Sequence, residues 1–247
     1  MTARRALAVI PARMGATRFP GKPLVQLLGK PMVAHVVERA LEAGVFAQVI
    51  VATDHPDVAE AAQAAGAHAV LTGPARSGTD RVAMAVAEIP GEVVLNVQGD
   101  EPAVPPENLR MLAQLLLHHP EVPMATLALP GRLEDLENPN VVKVVCDDAG
   151  RALYFSRAGI PFQRQQNASV IQRHVGLYGF QRDVLARLAS LPEHPLEVCE
   201  GLEQLRALAA GIPIYVLRAA SHSVAVDTPA DVPLAEAALA RLQGGGG

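Results

Sequence analysis

The first hundred residues alternate two hydrophobic rhythms. Short, nearly unbroken apolar runs (Ala6 to Ile10, Gln48 to Thr53, Val93 to Val97) are separated by longer stretches whose apolar residues recur three and four apart. A strand covered on both faces reads as a continuous apolar run, and the helix that covers it reads as a stripe. The alternation therefore predicts βαβ units and an α/β fold with a mostly parallel sheet between helices. Pro31 is expected at the first position of a helix carrying Met32, Val33, Val36, Val37, Ala40 and Leu41 on one face, with Gly44 just past its end. Asp57 is expected to cap an Ala-rich helix, and His68 to Thr72 to form a weaker strand. Ser77 and Asp80 have capping-box spacing, which starts a helix at a strand's end and leaves backbone N–H donors there. Pro105 and Pro106 precede a helix with Leu109, Leu112, Leu115 and Leu116 on one side, and Met124 to Leu129 reads as the next strand.

From Val141 the pattern changes. Two strand-like runs flank Asp147-Asp148-Ala149-Gly150, a turn in which Gly150 suits a left-handed residue, so a hairpin is expected. A strand at His174 to Phe180, a helix at Arg182 to Leu191, one helical stretch at Leu196 to Gly211 and a strand at Ile212 to Ala219 follow. A last helix begins near Pro229, and residues 244–247 read as a flexible tail. The reading is one domain over 1–247, with 140–195 as a smaller hairpin-containing subregion, a common place for a symmetric dimer contact.

Composition narrows the function classes. With 247 residues, half of them hydrophobic, the chain can bury a full core. Its net charge of -4 and scattered basic residues give no nucleic-acid groove, and 3% aromatics give no stacking platform for single strands. Two cysteines, Cys146 and Cys199, offer neither a disulfide framework nor zinc spacing. No apolar run approaches the roughly 20 residues of a membrane span, so a cytoplasmic protein is expected.

Candidate chemistry lies at predicted strand ends. Arg13, Arg18 and Lys22 share a Gly/Pro-punctuated loop after the first strand, where open α/β sheets bind ligands. The planar fork of arginine and the mobile point charge of lysine together suit a chain of phosphates. The loop lacks both GxxxxGK[ST] and GxGxxG, which excludes an ATPase-type P-loop and argues against a dinucleotide. Asp100 follows Val93 to Val97, and Asp227 follows the short run Ser223 to Val226, read as a strand. Mg²⁺ takes one or two carboxylates and completes its octahedron with water and phosphate oxygens, so this pair fits a magnesium nucleotide. By local pattern alone Asp227 reads first as the N-cap of the helix starting at Pro229, His174 as a core histidine, and Glu203, Gln204 and Arg206 as an ordinary helix face. Gly99 is expected to let a ligand approach the bend at Gln98 to Glu101.

Taken in order, PARMGATRFPGKP, GKPMVAHV, VATDH, SGTDR, NVQGDEP, NPNVVKVV, ALYFSR, RHVGLYGF, LEQLR and VDTPAD cover nearly the whole chain. They resemble the 3-deoxy-manno-octulosonate (Kdo) cytidylyltransferases, also called CMP-Kdo synthetases. The resemblance implies a Rossmann-like nucleotidyltransferase fold, a homodimer, and use of Mg²⁺ and CTP to activate Kdo for lipopolysaccharide biosynthesis. It implies that Arg13 and Lys22, assisted by Arg18, bind the CTP phosphates, that Ser77 and Gly78 meet the cytosine, and that Asp100 and Asp227 hold the metal. Arg13, Lys22, Asp100 and Asp227 would form the catalytic set. Gln98, Arg157, His174, Tyr178, Glu203 and Gln204 would line the Kdo pocket, with Arg81 a further candidate. The chain departs from the usual family pattern at Met14, Ala16, Pro74 to Arg76 and Ala225, and in a short stretch between Arg157 and His174. Other acceptors, an 8-amino-Kdo or a sialic acid, and a non-catalytic nucleotide-binding regulator remain alternatives.

Overall fold

Chain order runs β1 (Ala6–Ala12), β2 (Gln26–Leu27), β3 (Lys30–Pro31), α1 (Met32–Glu42), β4 (Phe46–Thr53), α2 (Pro56–Ala64), β5 (His68–Leu71), α3 (Gly78–Ala85), β6 (Val93–Asn96), α4 (Pro106–His118) and β7 (Met124–Pro130). Then come β8 (Lys143–Cys146), β9 (Ala152–Ser156), β10 (Gln172–Gln181), α5 (Arg182–Ser190), α6 (Pro195–Glu200), α7 (Gln204–Ala209), β11 (Ile214–Arg218) and α8 (Val232–Gly244). This computed structural model describes residues 4–15, 19–165 and 167–244, with Gln243 and Gly244 described by backbone alone.

The main sheet is ordered β11-β7-β10-β6-β1-β4-β5. β6, β1, β4 and β5 pair in parallel, as do β7 and β11, whereas β10 is antiparallel to both β6 and β7. The predicted hairpin forms from β8 and β9, with Gly150 at φ 75°, and joins the same sheet through β8 and β10. Side chains alternate across β1. Ala8 and Ile10 enter a core with Val36, Val37, Leu112 and Leu116, while Leu7 and Val9 enter a second core with Val82, Phe155, Phe180 and Leu185. Each such large apolar side chain, taken fully from water, contributes about 1.5–3 kcal/mol before entropic costs. A third cluster of Leu27, Met32, Ala103, Val226, Ala235 and Leu239 binds the C-terminal segment to the β2–β3 ribbon. Leu28 N–H donates to Glu236 across that contact at 3.0 Å.

Several expectations are corrected. Pro31 is the N-cap of α1 rather than its first helical residue. The cap of α2 is His55, whose ring Nδ1 accepts from Asp57 N–H; Asp57 lies inside the first turn, because Pro56 already occupies N1. Leu196 to Gly211 is two short helices, since Gly201 adopts a left-handed conformation (φ 62°) and ends the first. Ser223 to Val226 forms no strand. Gly244 closes α8, so no tail begins there, and 245–247 lie outside the described residues. Gly99 has a steric reason besides the ligand approach expected of it. A Cβ there would sit 2.6 Å from the Pro11 carbonyl, so glycine lets the bend press against the end of β1.

Candidate functional site

Parallel pairing puts the C-terminal ends of β1, β4 and β6 on one edge, with Ala12 opposite Thr53 and Val9 opposite Asn96. The cationic loop leaves that edge from β1. Gly21, at φ 75°, donates its N–H to the Met14 carbonyl at 3.1 Å and closes the loop, and Lys22–Leu24 then forms a 3₁₀ turn. Arg18 and Ala16 lie outside the described residues. At the end of β4, Asp54 takes the Met14 N–H at 3.1 Å and faces Arg81 at 3.4 Å, so it steadies the start of the loop.

Two distant carboxylates meet one ammonium. Lys22 Nζ is 2.8 Å from Asp100 Oδ2 and 3.8 Å from Asp227 Oδ1. A single backbone bond brings the acids together: Val226 N–H donates to the Asp100 carbonyl at 2.8 Å. The helix cap that competed for Asp227 is made otherwise. Thr228 is the N-cap, and the Asp231 carboxylate accepts from Asp227 N–H, Thr228 N–H and the Thr228 hydroxyl. The Asp227 carboxylate turns instead toward Lys22.

Two cavities adjoin at this point. One, of about 460 Å³, is lined by Arg13, Lys22, Arg76, Ser77 and Arg81 and is rich in cations. The other, of about 560 Å³, is lined by Asn140, Arg157, Arg173, His174, Tyr178, Gln204 and His222. Gly78, Gln98, Asp100, Glu203 and Asp227 line both and form the boundary. Ser77 caps α3 by accepting Asp80 N–H at 3.2 Å, which places that helix's N-terminus beside the first cavity. The expected capping box is only half made, because the Asp80 carboxylate pairs with Arg76 at 2.8 Å. Arg81 lines the first cavity.

The second cavity has a preset hydrogen-bonding character. β10 bulges between Val175 and Tyr178, and the Gly176 carbonyl exposed there accepts Gln98 Nε2 at 2.9 Å. Two extra residues preserve the strand's parity, so His174 and Tyr178 share a face, with ring centroids 5.4 Å apart and Phe155 edge-on to His174 at 5.0 Å. The Thr126 hydroxyl gives its proton to a β10 carbonyl (Leu177 O at 2.8 Å), so toward His174 Nε2, at 2.9 Å, it accepts. The tautomer that satisfies the ring, the hydroxyl and the carbonyl together carries its proton on Nε2 and leaves Nδ1 an acceptor. Burial pushes the His174 pKa down to about 3, so the ring is neutral. Burial, followed by the charge of Glu203, raises the Tyr178 hydroxyl well above its usual value, so it remains a donor. Burial and then Asp100 push Glu101 up to about 7. Glu203 accepts the Thr79 hydroxyl at 2.5 Å. Gln204 Nε2 and Asn96 Oδ1 are buried without a protein partner, and both residues line this cavity. Arg157 lines it too, but its guanidinium already donates to the carbonyls of Glu200 at 2.7 Å and Pro139 at 3.0 Å.

The His174 shift carries a pH prediction. Its folded pKa lies below the unfolded 6.5, so the unfolded chain takes up the proton first and stability is lost as pH falls from 6.5 toward about 3. Glu101 acts oppositely between 4.5 and about 7, because its folded pKa is raised. Urea unfolding of wild type and His174→Gln should therefore diverge: the wild type loses more stability between pH 6.5 and 4, while the Glu101 contribution cancels in the difference. Parallel pH curves would contradict the neutral ring.

Asn140, Arg173, His222 and Asn96 were missed as cavity residues, though Asn140 lies within the NPNVVKVV motif. Asn96 and Arg173 likewise open the NVQGDEP and RHVGLYGF motifs, and only His222 lies outside every motif quoted.

Residues 7–214 match the family described as Cytidylyltransferase. A 3-deoxy-manno-octulosonate cytidylyltransferase of Anaeromyxobacter sp. (strain Fw109-5) is 50% identical over 96% of this chain and 98% of its own length. One of Escherichia coli is 42% identical over 96% of this chain and 97% of its own. Among solved structures, a CMP:2-keto-3-deoxy-manno-octonic acid synthetase complexed with CTP superposes with a TM-score of 0.92 at 41% identity, covering 96% of this chain and 99% of that one.

Proposed function

Because this chain belongs to the cytidylyltransferase family, among its 3-deoxy-manno-octulosonate cytidylyltransferases, we propose that it joins CTP and Kdo to give CMP-Kdo and pyrophosphate, for lipopolysaccharide biosynthesis. The observation that carries the reading is the boundary between the cavities. A cation-lined space and a hydrogen-bonding space touch where Asp100 and Asp227 converge.

In this reading CTP occupies the first cavity. Arg13 and Lys22, with Arg18 from the same loop, hold its phosphates, and Ser77 and Gly78 at the α3 N-terminus meet the cytosine. Kdo occupies the second cavity, where Gln98, Arg157, His174, Tyr178, Glu203 and Gln204 supply its hydrogen bonds. His174 Nδ1 accepts from a sugar hydroxyl, Tyr178 donates, and the unpartnered Gln204 Nε2 gains an acceptor. The anomeric hydroxyl oxygen attacks the α-phosphorus in line, its proton leaves toward a boundary carboxylate, and the bond to pyrophosphate breaks. No covalent intermediate on the protein is required.

Asp100 and Asp227 are oxygen donors that already converge on one cation, the Lys22 ammonium, and therefore fit Mg²⁺. Among the described residues no group of three or more His, Cys, Asp or Glu could hold a metal by itself, which suits an ion that shares its ligands with phosphate and water. When bound, Mg²⁺ neutralises charge on the phosphates.

A homodimer and a cytoplasmic location belong to the same proposal. Leu153 and Phe162, 62% and 88% exposed within 140–195, support an interface there. Among the described residues no helix is long and apolar enough to cross a membrane. Pyrophosphate release is the test: it should require CTP in preference to other nucleotides and Kdo in preference to an 8-amino-Kdo or a sialic acid. Preference for another acid would move the acceptor assignment, and no release with any acid would favour a non-catalytic binder.

A further inference from the structure

Lys143 opens β8 and is fully buried, with the charges of Asp135, Arg157 and Glu200 acting on it. Its Nζ donates to the carbonyls of Asn138 at 3.0 Å, Val141 at 2.6 Å and Arg157 at 2.6 Å. An ammonium has three N–H donors and no acceptor, so its capacity is spent on main chain. Burial depresses its pKa, and an aliphatic side chain would fill the space without that cost. What the ammonium adds is the gathering of three carbonyls from two separate segments.

Both segments build the second cavity. Asn140 and Val141 line it, as does Arg157. The Arg157 guanidinium continues the chain of contacts, bonding Pro139 O on the first segment and Glu200 O at the end of α6, just before Glu203 and Gln204. None of these bonds reaches a residue unique to the first cavity.

We propose that Lys143 is a positioning residue for the acceptor: it fixes the 138–141 segment and the Arg157 main chain as one wall of the sugar-acid cavity, and it acts on acid binding without acting on nucleotide binding. This rests on the assignment of the acid to the second cavity. Lys143→Met should raise KM for the acid by about tenfold to a hundredfold, as small misplacements of positioning groups do, while KM and direct affinity for CTP stay within about threefold of wild type. Lys143→Gln, which keeps two donors on a shorter arm, should fall between. Hydrogen exchange of the 138–142 amides should accelerate in Lys143→Met while amides at 22–24 keep their wild-type rates.

Equal changes in both KM values, unchanged kinetics, or unchanged exchange at 138–142 would each overturn the proposal. So would failure of both variants to fold, the outcome expected of a lysine needed only for the core. Should wild type not use Kdo, the functional reading fails on that control alone, and the exchange comparison still decides the clamp.

Discussion

Asp100→Asn should abolish nearly all CMP-Kdo formation while leaving the fold in place. The two effects differ in size for a physical reason. In the resting protein Asp100 makes a partly exposed contact with Lys22. Losing such a contact costs about 0–1 kcal/mol of stability. In the transition state the same carboxylate stands at the boundary between the cavities, where charge builds on the phosphates. Removing one well-placed electrostatic group there lowers turnover by about a hundredfold to a thousandfold. At about 1.4 kcal/mol per tenfold, that is roughly 3–4 kcal/mol of barrier, several times the stability effect. The comparison needs thermal unfolding, circular dichroism and single-turnover kinetics on one preparation. Near-normal turnover in Asp100→Asn would remove it from the catalytic set, and a collapse of the fold would leave its role structural.

Lys22→Met should separate two roles of one cation. The Lys22 ammonium stands against both carboxylates, 2.8 Å from Asp100 and 3.8 Å from Asp227. The substitution takes away the ammonium that competes with a divalent ion for the oxygens of both carboxylates. Divalent affinity without CTP, titrated with Mn²⁺ as the probe, should therefore rise several-fold. Turnover should fall by about a hundredfold or more, because a cation for the phosphates is gone. Opposite movement of these two quantities is the signature. If metal affinity fell together with turnover, Lys22 would be holding the acids in place rather than competing for them.

Much of this site was legible in linear order. Arg13, Lys22 and Asp100 stand in short motifs just beyond strands whose ends a parallel sheet puts on one edge, whereas Asp227 stands in a motif that no strand carries there. The competing reading of Asp227 as a helix cap could not be dismissed from the sequence, because Thr228 and Asp231 are equally good capping residues and only their observed bonds settle the competition. His174 was ambiguous for a similar reason. A buried histidine on a strand is ordinary, and the partner that sets its tautomer, Thr126, is 48 residues away. Lys143 gave no hint of burial, since lysine is among the residues least often buried.

By itself the sequence determined the alternation of buried strands and amphipathic helices, the hairpin around Gly150 and the motifs that mark the family, because hydrophobic period and turn chemistry act over a few residues. Tertiary structure alone decided the rest. It set β10 antiparallel between β6 and β7, opened the bulge that frees Gly176, broke the 196–211 stretch at Gly201 and returned residues 226–227 to Asp100 through one backbone bond and a small apolar cluster. Those outcomes depend on contacts between segments tens to hundreds of residues apart, and local propensity carries no information about which distant partner a segment will meet.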